Sequence, residues 1–205
     1  MLTLLSTLKS RLAIPDADTT YDALLTNALN ALSARFDHET NRTLARTENF
    51  TQEFDPASTE ILAFCYPIES VTTFEFKTSE STGWQPPDPQ PDHLIRNTCI
   101  ITLQLPLRYS LSAISYAPAV ARVTYTGGYL LPGMPDPVPP VAACQGLPAD
   151  LEHAAMEQVA SWFLNRDKLG LKTVWLYHGN YQQFTNLDLL PDVRAVLKKY
   201  ERWSL

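Results

Sequence analysis

The spacing of apolar residues changes period twice along this 205-residue chain, and that change limits its possible folds more than any other feature. Near the start, Leu5, Leu8 and Leu12 recur at helical intervals. Tyr21, Leu25, Ala28, Leu32 and Phe36 then step along one face of a second helix, which should end near Asn41. From Thr43 to about Tyr129 the period falls to two. Ala119, Ala121, Val123 and Tyr125 alternate with Val120, Arg122 and Thr124. Ile101, Leu103 and Leu105 alternate with Ile100, Thr102 and Gln104, and Thr72, Phe74 and Phe76 oppose Val71, Glu75 and Lys77. Such alternation buries one face of each strand. Asp55-Pro56, Ser81-Thr82-Gly83 and Thr126-Gly127-Gly128 mark the turns. The pattern predicts an α+β protein, a helical bundle formed by N-terminal and C-terminal helices with a central antiparallel β-rich insertion.

The helical period returns after Pro148. Leu151, Ala155, Val159, Trp162 and Phe163 make an apolar face, Asp150 and Glu152 complement the positive end, and Arg166, Lys168 and Gly170 are expected at the C-terminal end. A last helix should start at Pro191 with Val193, Val196, Leu197, Tyr200 and Trp203 on one side, and Arg194, Lys198, Lys199 and Arg202 make its second half cationic. At the second helix, Thr19 and Asp22 form a start signal. Ten of the sixteen prolines fall in Pro86–Pro91 and Pro132–Pro148, and the second stretch reads as a semi-rigid linker or arm. The flanking helical parts are too small to fold separately. The expected organisation is therefore one domain over 1–205: a helical hairpin at 1–43, a β-rich insertion at 44–130, a proline-rich linker at 131–147 and C-terminal helices at 148–205.

Composition excludes several function classes. A net charge of −6 argues against non-specific nucleic-acid binding, which needs clustered Lys and Arg to displace counterions. Cys65, Cys99 and Cys144 are odd in number and lack a C-x-x-C pair, a pattern of reduced thiols rather than of disulfides or zinc. The spaced leucines of the first fourteen residues, interrupted by Lys9 and Arg11, do not make a signal peptide. No run reaches the length of a transmembrane helix, so a soluble, intracellular protein without a membrane partner is expected.

The residues that resemble a chemical site are His153 and Glu157, one helical turn apart, with Glu152 beside them. Zinc hydrolase chemistry wants two histidines one turn apart with a glutamate beside them and at least three ligands, whereas here Glu157 takes the second histidine's place and His38, His93 and His178 lie in unrelated segments. A polar helix flank explains the pair with less. No G-x-S-x-G elbow or activated cysteine is present, and Thr126-Gly127-Gly128-Tyr129 feeds a proline-rich segment rather than a phosphate-binding helix. No catalytic residue, cofactor site or metal site is therefore expected. Trp84 in a polar loop and Trp203 near the C-terminus stand out instead, since a large ring gives contact area on a partner at little entropic cost.

The order of these segments carries a resemblance. Ala121–Gly133 (ARVTYTGGYLLPG), a proline-rich spacer, Leu147–Leu171 (LPADLEHAAMEQVASWFLNRDKLGL) and Leu189–Tyr200 (LLPDVRAVLKKY) together resemble the head–tail connector, or head-completion adaptor, proteins of tailed bacteriophages. The N-terminal helical hairpin, Tyr66–Trp84 and Asp92–Leu107 resemble the longer, β-inserted members. The resemblance implies a non-enzymatic subunit of the virion neck, assembled in the host cytoplasm as a homo-oligomeric ring, commonly of twelve copies. Such a ring joins the portal protein to the next neck or tail-completion component, and DNA passes through it unread. Arg194, Lys198, Lys199, Tyr200, Arg202 and Trp203 would be the candidates for portal contact, with Trp84 as a further interface candidate. Two other readings stay open: a different neck component or β-rich binding module, and a metal-dependent hydrolase built on His153 and Glu157.

Overall fold

A computed structural model describes residues 1–107, 120–166, 173–175, 181–183 and 188–202. In chain order the elements are α1 (Leu5–Arg11), α2 (Asp22–Thr40), β1 (Thr47–Phe54), β2 (Glu60–Leu62), β3 (Ile68–Lys77), β4 (His93–Arg96) and β5 (Ile100–Leu103). They continue with β6 (Val120–Gly127), β7 (Tyr129–Leu130), β8 (Gln145–Gly146), α3 (Ala149–Leu164), β9 (Thr173–Trp175), β10 (Tyr181–Gln183) and α4 (Pro191–Leu197). The protein is α+β, with helices at both ends and antiparallel sheets between. Backbone packing divides it into two compact units: Met1–Thr40, Leu131–Gly133 and Leu147–Glu201 form one, and Asn41–Leu130, Met134–Gly146 and the chain from Arg202 form the other.

The helical unit is drawn from both ends of the chain. Helix α3 packs on α1, α2 and α4. Leu25, Leu29, Leu32 and Phe36 of α2 and Leu151, Ala155, Val159 and Phe163 of α3 are buried at helical spacing, as amphipathic helices require. Ahead of α2 the Asp18 carboxylate accepts from the Thr20 N–H at 3.0 Å, and the expected Thr19 supplies its carbonyl to the Asp22 N–H at 3.2 Å. Helix α3 follows Pro148 but stops at Leu164, with Asn165 as its C-cap. Arg166 thus lies past the helix, yet it donates to the Phe163 carbonyl at 2.9 Å and so satisfies one of the last-turn acceptors. Lys168 and Gly170 lie outside the described residues. The sequence reading places only helices in this part of the chain, whereas β9 and β10 form an antiparallel pair there. Their Thr-Val-Trp and Tyr-Gln-Gln residues have the β-branched and aromatic character that favours strands.

Helix α4 is shorter than expected. It ends at Leu197, so Lys198, Lys199 and Tyr200 form a turn rather than a cationic helical half. Gln158, which no apolar pattern marks, is 1% exposed. Its side chain accepts from Leu190 N–H at 2.7 Å, and so satisfies a backbone donor at the entry to α4.

The β unit contains two three-stranded antiparallel sheets, ordered β1-β6-β3 and β2-β5-β4. They share one core: Ile61, Ile101 and Leu103 from the smaller sheet, and Ile68, Phe74, Ala121, Val123 and Tyr125 from the larger. On β6 the predicted alternation holds, with Ala121, Val123 and Tyr125 fully buried; Ala119 lies outside the described residues. On β3 it is interrupted. The ladder to β6 slips between Val71 and Thr73, so Thr72 is exposed while Val71 packs against the core three positions from Phe74. Strand β5 ends at Leu103, which leaves Leu105 66% exposed rather than on the buried face. The segment Met134–Gly146 belongs to this unit, and its β8 pairs in parallel with β7.

Candidate functional site

On α3 the residues with chemical potential have structural partners. Thr3 donates to Glu152 at 3.0 Å. The Arg11 guanidinium grips Glu157 with two bonds of 2.8 and 3.2 Å, and these bonds hold the Glu157 carboxyl below the ordinary carboxylate range. His153 is exposed between them. Among the described residues no three His, Cys, Asp or Glu side chains come together as a metal site would need.

His153, Asp150, Ala154 and Glu157 instead line one wall of an open groove of about 320 Å³, and Leu190, Asp192, Val193 and Val196 of the α4 region line the other. Its lining combines the apolar Ala154, Leu190, Val193 and Val196 with the carboxylates of Asp150, Glu157 and Asp192. Asp150 accepts from the Tyr200 hydroxyl at 2.7 Å, so the groove's edge is tied to the turn that follows α4.

The candidates for partner contact divide by what they already touch. Arg194 pairs with Asp188, which also pairs with Arg35 at 2.7 Å. These cations hold Asp188 below the ordinary carboxylate range, first through the hydrogen bond from Arg194. Arg202 donates to the carbonyls of Ala63 at 3.1 Å and Leu62 at 2.8 Å, and its guanidinium lies 3.8 Å from the Phe64 ring centre. Desolvation there lowers its pKa from the usual arginine value. Trp84 is half-buried, with the Arg122 guanidinium 4.3 Å and the Lys77 ammonium 5.2 Å from its ring centre. Arg122 is itself held by Glu75 at 2.7 Å. Lys198 and Lys199 are exposed, and among the described residues they form no ion pair. Trp203 lies outside the described residues.

Sequence reasoning missed the groove and the Arg11–Glu157 and Arg202 contacts, because each joins segments far apart in the chain. Only the helical spacing of Asp150, Ala154 and Glu157, which stacks them along one face of α3, pointed toward the groove.

No family model matches this chain, and no curated protein sequence does. Among solved structures its fold is similar to that of a chain in the neck of an empty gene transfer agent particle, a phage-like assembly computed with C6 symmetry. The two have 15% sequence identity and a TM-score of 0.58, over 98% of this chain and 89% of that one. At this identity the shared property is the fold.

Proposed function

We propose that this chain is a structural subunit of a phage or phage-like neck, which forms a ring between the capsid portal and the next head-completion or tail component and lets DNA pass. The observation that carries this reading is the fold likeness to a neck chain over nearly the whole length, helices and β insertion included. The sixfold symmetry of that neck is compatible with a ring of twelve copies. A net charge of −6 suits a channel that must not hold phosphates. The exposed Lys198 and Lys199 turn, with Arg194 and Tyr200 beside it, is the proposed portal-facing element, and Trp84 a contact for a further neck component. The place of action is the virion neck, reached from the host cytoplasm. No helix among the described residues is long and apolar enough to cross a membrane.

Native mass spectrometry of the purified chain, alone and with the portal protein of the same particle, tests the proposal. A closed oligomer or a stoichiometric portal complex is expected. A strict monomer with no portal affinity at any concentration removes it.

A further inference from the structure

The two three-stranded sheets have four edges, and three are closed by identifiable devices. On β3, Phe74 exchanges backbone bonds of 3.0 and 3.3 Å with the Gln90 side chain, and Phe76 exchanges 2.9 and 2.8 Å bonds with the Gln85 backbone. On β2, Arg202 occupies the Leu62 carbonyl and that of the following Ala63. On β1 the ladder is irregular between Thr47 and Phe50, with Asn49 at φ 51°, and the exposed Glu48 and Glu53 add charge.

Among the described residues no group bonds the outer backbone of strand β4. Gln104 N–H donates to the Asp92 carbonyl at 3.3 Å, so by steps of two Leu94 and Arg96 hold the hydrogen-bonded positions facing β5. The N–H and C=O of His93 and Ile95 therefore point off the sheet. Leu94 is 63% exposed and Leu105, just past β5, is 66% exposed. An open, apolar strand edge is a template for another strand.

The proline-rich segment has the complementary construction. It reads Met134-Pro135-Asp136-Pro137-Val138-Pro139, with proline at every second position. In an extended chain successive N–H groups point to opposite sides, so all the missing donors fall on one side. The N–H groups of Met134, Asp136 and Val138 fall on the other. Among the described residues, 134–140 makes no backbone hydrogen bond, and Val138 is 94% exposed.

We infer that Met134–Val138 of one copy adds as a strand to the β4 edge of the next copy, an inference that rests on the ring reading above. Laid parallel to β4, Asp136 N–H meets the His93 carbonyl and Val138 N–H the Ile95 carbonyl, which sets Asp136 and Val138 on the same face as Leu94. Val138 covers apolar surface beside Leu94. Asp136, the arm's one charge, meets a strand bracketed by His93 and Arg96. The arm and the edge are different patches, so the contact is head-to-tail, the kind that builds the ring of the reading above when its rotation closes. The arm's outer side is proline throughout, so each edge takes one strand and propagation stops there.

Two measurements test this. First, Leu94→Cys with Val138→Cys, in a chain carrying Cys99→Ser and Cys144→Ser, is treated with a short bismaleimide under the conditions in which wild type is oligomeric. A ladder extending past the dimer is expected. Crosslinks confined to one chain, or a ladder ending at the dimer, overturn the strand exchange. Second, Asp136→Pro removes a donor that makes no bond among the described residues, so an unchanged melting temperature and loss of the closed oligomer by native mass spectrometry are expected. Rings that form equally well from Asp136→Pro overturn the inference and leave the ring reading standing. A wild-type chain that forms no closed oligomer, alone or with portal protein, removes both.

Discussion

Lys9 lies in the interior of the helical unit, with its side chain 4% exposed, because its ammonium is held by Asp22 at 2.9 Å and by the Asp16 carbonyl at 2.9 Å. Removing one member of such a pair leaves the other charge without its partner, at a cost of about 3 kcal/mol. Lys9→Met is therefore expected to lower the melting temperature by roughly 6–12 °C, and Lys9→Ala by more because it also removes the packed stem. Thermal unfolding followed by circular dichroism checks both. The acid response is set by carboxylates whose pKa values are depressed in the folded state: Glu157 by Arg11, Asp188 by Arg194, and Asp18 by the Thr20 hydrogen bonds. A depressed carboxylate binds fewer protons folded than unfolded, so its contribution is present above the unfolded pKa and lost as pH falls through the folded one. Urea midpoints should thus hold to about pH 5 and decline below about pH 4, with a flatter decline in Glu157→Gln. An identical slope in that variant would count against the Arg11 contact.

At the scale of elements, the buried Tyr125 hydroxyl organises the irregular stretch between β2 and β3. It accepts from Phe64 N–H at 2.9 Å and Cys65 N–H at 3.1 Å and donates to Gln52 at 3.0 Å, while burial pushes its pKa up to about 12. Tyr125→Phe removes the acceptor that the Phe64 and Cys65 N–H groups share, although Phe64 N–H keeps Gln52 Oε1 at 3.0 Å, and should cost about 1–3 kcal/mol, read as a fall in urea midpoint. Gly128 has φ 101°, and a Cβ there would stand 2.5 Å from the Ala45 carbonyl oxygen. Gly128→Ala is expected to cost about 2–4 kcal/mol by the same measurement. The sequence motif Thr126-Gly127-Gly128 was readable as a strand-ending turn, but its demand for bare backbone against Ala45 was not, because that contact depends on chain 83 residues away. The strands themselves were legible wherever one face is buried without interruption, as on β6. On β3 the irregularity beside Thr72 reverses the alternation, and no local residue announces it. On α3 the apolar face and the acidic first turn were legible, whereas Gln158 in that face was not, since its partners lie beyond residue 187. The interface candidates followed from charge and aromaticity; that Arg202 is bonded to the carbonyls before β3 depends on long-range packing and could not be read from them.

At the scale of the whole molecule, each unit holds its own part of the C-terminal segment: Tyr200 bonds Asp150 within the helical unit, and Arg202 bonds the Leu62 and Ala63 carbonyls within the β unit. Removal of Arg202–Leu205 is expected to raise amide hydrogen exchange at Leu62–Phe64, while Lys198→Glu with Lys199→Glu leaves exchange unaltered and weakens only attachment to a partner. Faster exchange throughout the helical unit in the lysine variant would show that these residues stabilise the fold. The helical unit has a further property, which comes from being assembled from residues 1–40 and 147–201. On the ribosome, α1 and α2 emerge ahead of α3 with Leu25, Leu29, Leu32 and Phe36 bare, and about a hundred residues must follow before α3 exists to cover them. At usual translation speeds of roughly 5–20 residues per second, that is an interval of about 5–20 s. The β unit can complete most of its contacts during that wait. The nascent chain therefore presents a greasy hairpin to its surroundings for seconds in every round of synthesis, and its yield in cells should depend on the chaperones that meet it at the exit tunnel.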